Sequence, residues 1–282
     1  MIILEIIFFL IASGTILLSL AGYGQILINR IQSNFFVNIF FGFIVITFLI
    51  TITHFFIKIN FYVGLVILLL GLFLFVKDFN INCLKFLKKN YLYFILFLIL
   101  VPILISQKYH EDFGYYHLPY VISMIENKII FGLANSNIAF SHNSIWLNTI
   151  SIFSLPNNNF NFLTLPVFLI YFTFIIFSLK KIFVSTKKIP STYFLIICLF
   201  YFILKFTRIS EYGNDIPATI FSVLTIFYFL KYSETEIREK KSFYFFYCFS
   251  FAVFGILIKF SVIPIFLLPL CLFCLNINVL KK

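Results

Sequence analysis

Charge is scarce in this chain. Only 11% of its 282 residues are Asp, Glu, Lys or Arg, against roughly a quarter in a soluble domain, so a soluble globule is excluded. It also lacks a Gly/Ser linker, a repeat at a fixed period and any soluble domain. The weak alternating pattern of an outer-membrane barrel is missing too. There are five cysteines, but Cys83, Cys198 and Cys248 are scattered, and Cys271 and Cys274 have no second ligand pair nearby, which argues against a zinc or redox centre. No basic n-region precedes Ser19-Leu20-Ala21, and Glu5 sits where one belongs. The first apolar stretch therefore reads as an uncleaved span rather than a signal peptide.

Apolar side chains are abundant, at 62% of the sequence, with a mean hydropathy of +1.07. They come in blocks able to cross a hydrocarbon core about 30 Å thick, which takes about 20 helical residues. The expected fold class is all-α, a polytopic transmembrane helix bundle of about nine spans: 2–21, 35–57, 60–76, 91–107, 160–179, 190–204, 215–230, 243–259 and 262–278. The joints at 57–60 and 260–261 read as tight hairpins or broken helices. The 44 Phe, alongside much Ile, Asn, Lys and Tyr, fit AT-rich coding and are not read as a ligand signature.

The formal charge of +11 is unevenly distributed: Arg30 and the segments 77–89, 180–188, 231–241 and 281–282 hold fifteen of the 21 Lys and Arg. If the spans alternate, these lie on one side, and the positive-inside rule makes it cytoplasmic. The N-terminus and the long loop 108–159 then lie outside, with the C-terminus in the cytoplasm. Anionic membrane lipids account for the basic clusters, and no nucleic acid is expected.

Within the outer loop, 119–130 places Val121, Ile122, Met124, Ile125, Ile129 and Ile130 among polar residues, the pattern of a short amphipathic helix with Pro119 in its first turn. Gly132 and Asn135-Ser136-Asn137 break it. A second amphipathic stretch, 143–153, carries Trp146, a residue at home at the headgroup boundary. Both helices are expected on the membrane surface, as a lid-like platform.

The loop opens with His110-Glu111-Asp112-Phe113-Gly114-Tyr115-Tyr116-His117-Leu118-Pro119. Asp112 follows a span by a few residues and suits a general base acting on a hydroxyl at the interface. It equally suits an N-cap for the next helix. Glu111, His110 and His117 beside it favour chemistry. His110, Asp112 and His117 are also types that bind a divalent cation, although their spacing matches no metal motif and an orienting role suits His117 better. Further along, Lys205, Arg208 and Lys259 stand near outer span ends. Lys259 either snorkels to the headgroups or serves a site, because an ionisable group in an apolar segment is costly unless paired or used. Arg208 and Glu211 have the spacing of an i, i+3 pair, and Asp215 suits a cap after Gly213-Asn214. His142, Asn143 and Trp146 read as loop packing or ligand contacts. His54 reads as a satisfied intramembrane histidine.

Asp112-Phe-Gly-Tyr-Tyr-His117-Leu-Pro119 resembles the start of the first large outer loop in bacterial members of the GT-C glycosyltransferase superfamily, which includes dolichyl-phosphate-mannose protein mannosyltransferases and aminoarabinose transferases. Gly132-Leu-Ala-Asn135 with Ser141-His-Asn-Ser-Ile-Trp146 resembles the end of that loop. Arg208-Ile-Ser-Glu211-Tyr-Gly213-Asn214-Asp215-Ile-Pro217 resembles a later outer-face motif, and Ile258-Lys259-Phe260-Ser261 a lysine-bearing span end.

The resemblance implies a bacterial inner-membrane enzyme moving a sugar from a polyprenyl-phosphate-linked donor to a glycan or lipid acceptor, in surface polysaccharide or glycolipid assembly. It implies Asp112, Glu111 and His117 as catalytic residues. Arg208, Glu211, Asp215, Lys259, Asn143 and Trp146 would bind substrate. No resident metal or cofactor is assigned, although a divalent cation is chemically admissible. Residues 1–90 would form three leading helices and a basic loop, and 91–282 a GT-C-like core. The chain departs from the family in those leading spans and in having only six core spans, as expected of a truncated, split or inactive member. A lipid-linked oligosaccharide transporter would instead place charges at mid-membrane on related broken helices. A polysaccharide polymerase or ligase would need an Arg- or His-rich outer loop, and this loop has no Arg.

Overall fold

The computed structural model describes residues 2–28, 34–78, 95–100, 112–141, 144–153, 162–184, 189–210 and 213–280. His110, Glu111, His142, Asn143, Glu211, Arg30, Cys83 and Lys108 lie outside them. Among the described residues every regular element is helical: α1 (Ile2–Ile28), α2 (Phe35–Phe56), α3 (Phe61–Asp78), α4 (Leu118–Glu126), α5 (Ile145–Ser151), α6 (Leu165–Val184), α7 (Pro190–Leu204), α8 (Asp215–Glu234), α9 (Arg238–Ile258) and α10 (Leu267–Leu280). Residues 95–100 are also helical. Five of these helices, α1, α2, α6, α8 and α9, are long and apolar enough to cross a membrane, and shorter apolar helices lie at Phe61–Lys77, Pro190–Leu204 and Phe260–Leu275.

The chain forms two compact units. The first comprises Met1–Ile176 with Thr207–Gly213, the second Phe177–Phe206 with Asn214–Lys282; α6 runs from one into the other. In the first unit α1 and α2 pack antiparallel with backbones almost touching. A Cβ placed on Gly42 would lie 2.0 Å from the Leu20 carbonyl oxygen, and one on Gly24 would lie 1.8 Å from that of Asn38. Small residues at such crossings let helices approach where lipid gives no hydrophobic drive. The Tyr23 hydroxyl donates to the Ile67 carbonyl at 2.7 Å and ties α3 to α1.

The second unit is built on the antiparallel pair α8 and α9. Phe221 meets Phe254 edge-on at 4.7 Å, and Tyr228 meets Tyr247 at 5.0 Å. After α9 the backbone turns extended at Lys259 and continues as a 3-10 helix, Phe260–Phe266. Phe266 returns to pack on Phe249 at 5.8 Å, so this joint is a hairpin. At the other end, Ser191 donates to Glu234 through its backbone N (2.6 Å) and its hydroxyl (2.7 Å). The preceding Ile189 offers no side-chain cap, so a carboxylate from α8 supplies the acceptor that the first turn of α7 requires.

The loop helices depart from the sequence expectation. The first ends at Glu126 rather than Ile130, because the residues after it bond to α2 instead of continuing the helix. The Ile129 amide donates to the His54 carbonyl (3.1 Å), the Ile59 amide donates to the Met124 carbonyl (2.9 Å), and the His54 ring, through Nε2, meets the Asn127 carbonyl at 3.2 Å. His54 is thus buried and partnered. The second helix, α5, is not on a surface. Trp146 is 0% exposed and lies 5.3 Å from the Phe43 ring, midway along α2. The Thr47 and Thr149 hydroxyls share a hydrogen bond, and Asn148 donates to the Thr51 hydroxyl at 2.9 Å. The apolar face of α5 is satisfied by α2, so Trp146 is a packing residue there and not a headgroup anchor.

Candidate functional site

Asp112 opens a five-residue π-turn, Phe113–His117, closed by the Leu118 amide on the Phe113 carbonyl. Such i→i+5 turns are rare and concentrate at functional sites. In an α-helix, residues five apart point about 140° from one another, whereas five residues of a π-turn make little more than one full turn and bring both ends to the same side. The turn therefore sets Asp112 and His117 on a common side of the chain. Asp112 has helical backbone angles and makes no capping hydrogen bond, so the capping alternative does not describe it. It is half-buried; His117 is buried, its ring 4.2 Å from that of Tyr116. Pro119 follows in the first turn of α4, where its missing N–H costs nothing.

Arg208 lies on a 3-10 helix, Phe206–Ser210, within the stretch Thr207–Gly213 that clusters with the first unit, as do Asp112 and His117. Trp146 is in the same unit, fully buried, and its indole N–H has no partner among the described residues. Glu111, Asn143 and Glu211 lie outside the described residues.

The second unit holds the other two. Lys259 Nζ donates to Asp215 Oδ1 at 2.5 Å, each side chain 40% exposed. Asn214 is the N-cap of α8 and Asp215 its first residue, so Asp215 pairs with a cation across the helix pair instead of capping. Lys259 follows the last turn of α9, and its pairing removes the cost of an isolated ammonium in an apolar segment. Lys205, exposed after the last turn of α7, has no ion pair among the described residues.

No group of three His, Cys, Asp or Glu that could hold a metal occurs among the described residues. Sequence reading missed the π-turn, the pairing of Asp215 with Lys259, the Ser191–Glu234 cap and the polar seam of Thr47, Thr51, Asn148 and Thr149. The seam was visible only as hydroxyl and amide residues recurring at helical spacing inside apolar runs.

Helices of this length and apolarity, with ionisable side chains gathered at their ends, define a helical membrane protein. Over residues 1–282 the chain matches the family model described as Domain of unknown function (DUF8201), and it belongs to that family. No curated protein and no solved structure matches it.

Proposed function

We propose that the chain is a membrane glycosyltransferase of GT-C type, with about nine spans, that moves a sugar from a polyprenyl-phosphate donor to a glycan or lipid acceptor at the outer face of a bacterial inner membrane. The observation that carries the reading is the π-turn, which aims a non-capping carboxylate, Asp112, to the same side as His117 in the segment that resembles the family's first outer loop.

In this reading Asp112 takes the proton of the acceptor hydroxyl as that oxygen attacks the anomeric carbon. The bond from that carbon to the phosphate oxygen breaks, and the polyprenyl phosphate leaves with the bonding pair. His117 positions the turn, with Glu111 beside Asp112. The leaving phosphate needs positive charge, which charge-assisted hydrogen bonds deliver well. Arg208 is a cation of the unit that holds Asp112, and Lys259, held by Asp215, is a further proposed substrate contact. Glu211 and Asn143 complete the proposed substrate contacts. The buried Trp146 contributes by packing the loop onto α2.

Replacing Asp112 by Asn tests the assignment. General-base removal costs about 10²–10⁴-fold, so complementation of surface-glycan synthesis is expected to fail while expression and membrane insertion stay normal. Full complementation by Asp112→Asn would refute the base assignment.

A further inference from the structure

We propose that the loop enters the bilayer through a wedge at the C-terminal end of α2, and that Lys58 and Lys128 at its rim hold anionic phospholipid headgroups. The 22 residues of α2 span about 33 Å at 1.5 Å per residue, enough to cross a hydrocarbon core of about 30 Å. Its last turn therefore reaches the headgroup boundary, where the three hydrogen bonds from His54 and Ile59 fasten residues 124–129. Phe131 lies two residues beyond Ile129, so its backbone stays within roughly 7 Å of that anchored amide.

The side chains at this place are apolar and uncovered. Phe131 is 82% exposed and Phe56 75%, with Ile57 and Ile130 also exposed. Gly132, at φ 77°, turns the backbone through the left-handed region that favours glycine, so the chain reverses directly after Phe131 and leaves it projecting. The patch continues the exposed stripe of Phe48 and Ile52 up α2, the stripe a spanning helix gives to lipid. Apolar surface of this kind rimmed by polar residues marks an interaction face. Lys58 and Lys128 provide the rim: both are exposed, and among the described residues neither forms an ion pair. Free ammoniums at a headgroup boundary complement anionic lipid. The occupant is thus the bilayer itself, and the membrane contact belongs to this wedge and not to α5, which is buried.

The full-length chain is reconstituted as the Phe131→Trp variant in vesicles of phosphatidylcholine and phosphatidylglycerol, with one or the other lipid brominated high on its acyl chains. Trp146 is fully buried, so the parent protein gives the baseline, and an exposed site tolerates the substitution. The expected result is a blue-shifted emission that brominated lipid quenches and aqueous iodide does not. Quenching is expected to be stronger from brominated phosphatidylglycerol than from brominated phosphatidylcholine at equal fraction, and Lys58→Gln with Lys128→Gln is expected to abolish that difference. Iodide quenching without lipid quenching would overturn the wedge. Equal quenching by the two lipids with both lysines present would overturn the headgroup site. Shielding that grows with protein-to-lipid ratio and not with brominated lipid would assign the patch to a second copy of the chain and overturn the proposal.

Discussion

Asp112 and Lys259 carry the chemistry proposed here, and each is distinguished by what its side chain does. Asp112 begins a turn without capping it, and Lys259 is committed to Asp215. The half-exposed pair contributes little to stability, on the order of 0.2–1 kcal/mol. If Lys259 also neutralises the donor phosphate, Lys259→Met should raise the donor KM by about tenfold, equivalent to about 1.4 kcal/mol, with a much smaller change in thermal stability. The swap Asp215→Lys with Lys259→Asp preserves an ion pair but reverses the position of the cation. It should therefore recover stability without recovering donor affinity, and recovery of both would show that only the pair matters. The sequence displayed both residues but not their partnership, because 44 positions separate them and each had a plausible local role.

At the scale of elements, five apolar helices long enough to cross a membrane were legible because long apolar runs have few other uses, and the boundaries of α2, α3, α7 and α8 fall close to those of the runs. The π-turn was not legible, since no residue pattern marks an i→i+5 bond. It yields a direct test: Gly114 faces open space, so one alanine inserted after it can be accommodated, and the insertion rotates Asp112 by about 100° relative to α4. Transfer should be lost while detergent-solubilised protein unfolds at nearly the parent temperature. The placement of α5 was misread for a physical reason: an amphipathic helix shows one apolar face whether that face meets lipid or another helix, and only packing of Trp146 on Phe43 distinguishes them. Gly42 marks a close helix approach with a consequence easily measured. Gly42→Ala drives a methyl into the Leu20 carbonyl, and overpacking of this kind costs about 1–3 kcal/mol. Thermal unfolding in detergent should register the loss, and Ala at the open Gly114 should not.

For the whole molecule, the charge distribution is the basis of the proposed orientation and the structure provides the helices. The second unit repeats the asymmetry: Lys180, Lys181, Lys231, Arg238, Lys240 and Lys241 fall near the end where α6 and α8 finish and α7 and α9 begin, whereas Asp215 and Lys259 lie where α8 begins and α9 finishes. With the basic end cytoplasmic, alkaline phosphatase fused after residue 136 should be active and a fluorescent protein fused there dark. Fusions after residue 236 should reverse both signals, and the opposite pattern would invert the proposed topology. The π-turn and the outer-face cations would then face the wrong compartment for a polyprenyl-phosphate donor used outside.

Transfer itself is the most direct measurement. Purified chain in proteoliposomes, supplied with radiolabelled polyprenyl-phosphate hexose and a crude glycolipid acceptor fraction, should move label from donor to acceptor and release polyprenyl phosphate, with Asp112→Asn reducing the rate by about 10²-fold or more. Equal label movement by the parent and the Asp112→Asn variant, or no donor consumption by correctly inserted parent protein across the hexose donors, would contradict the account.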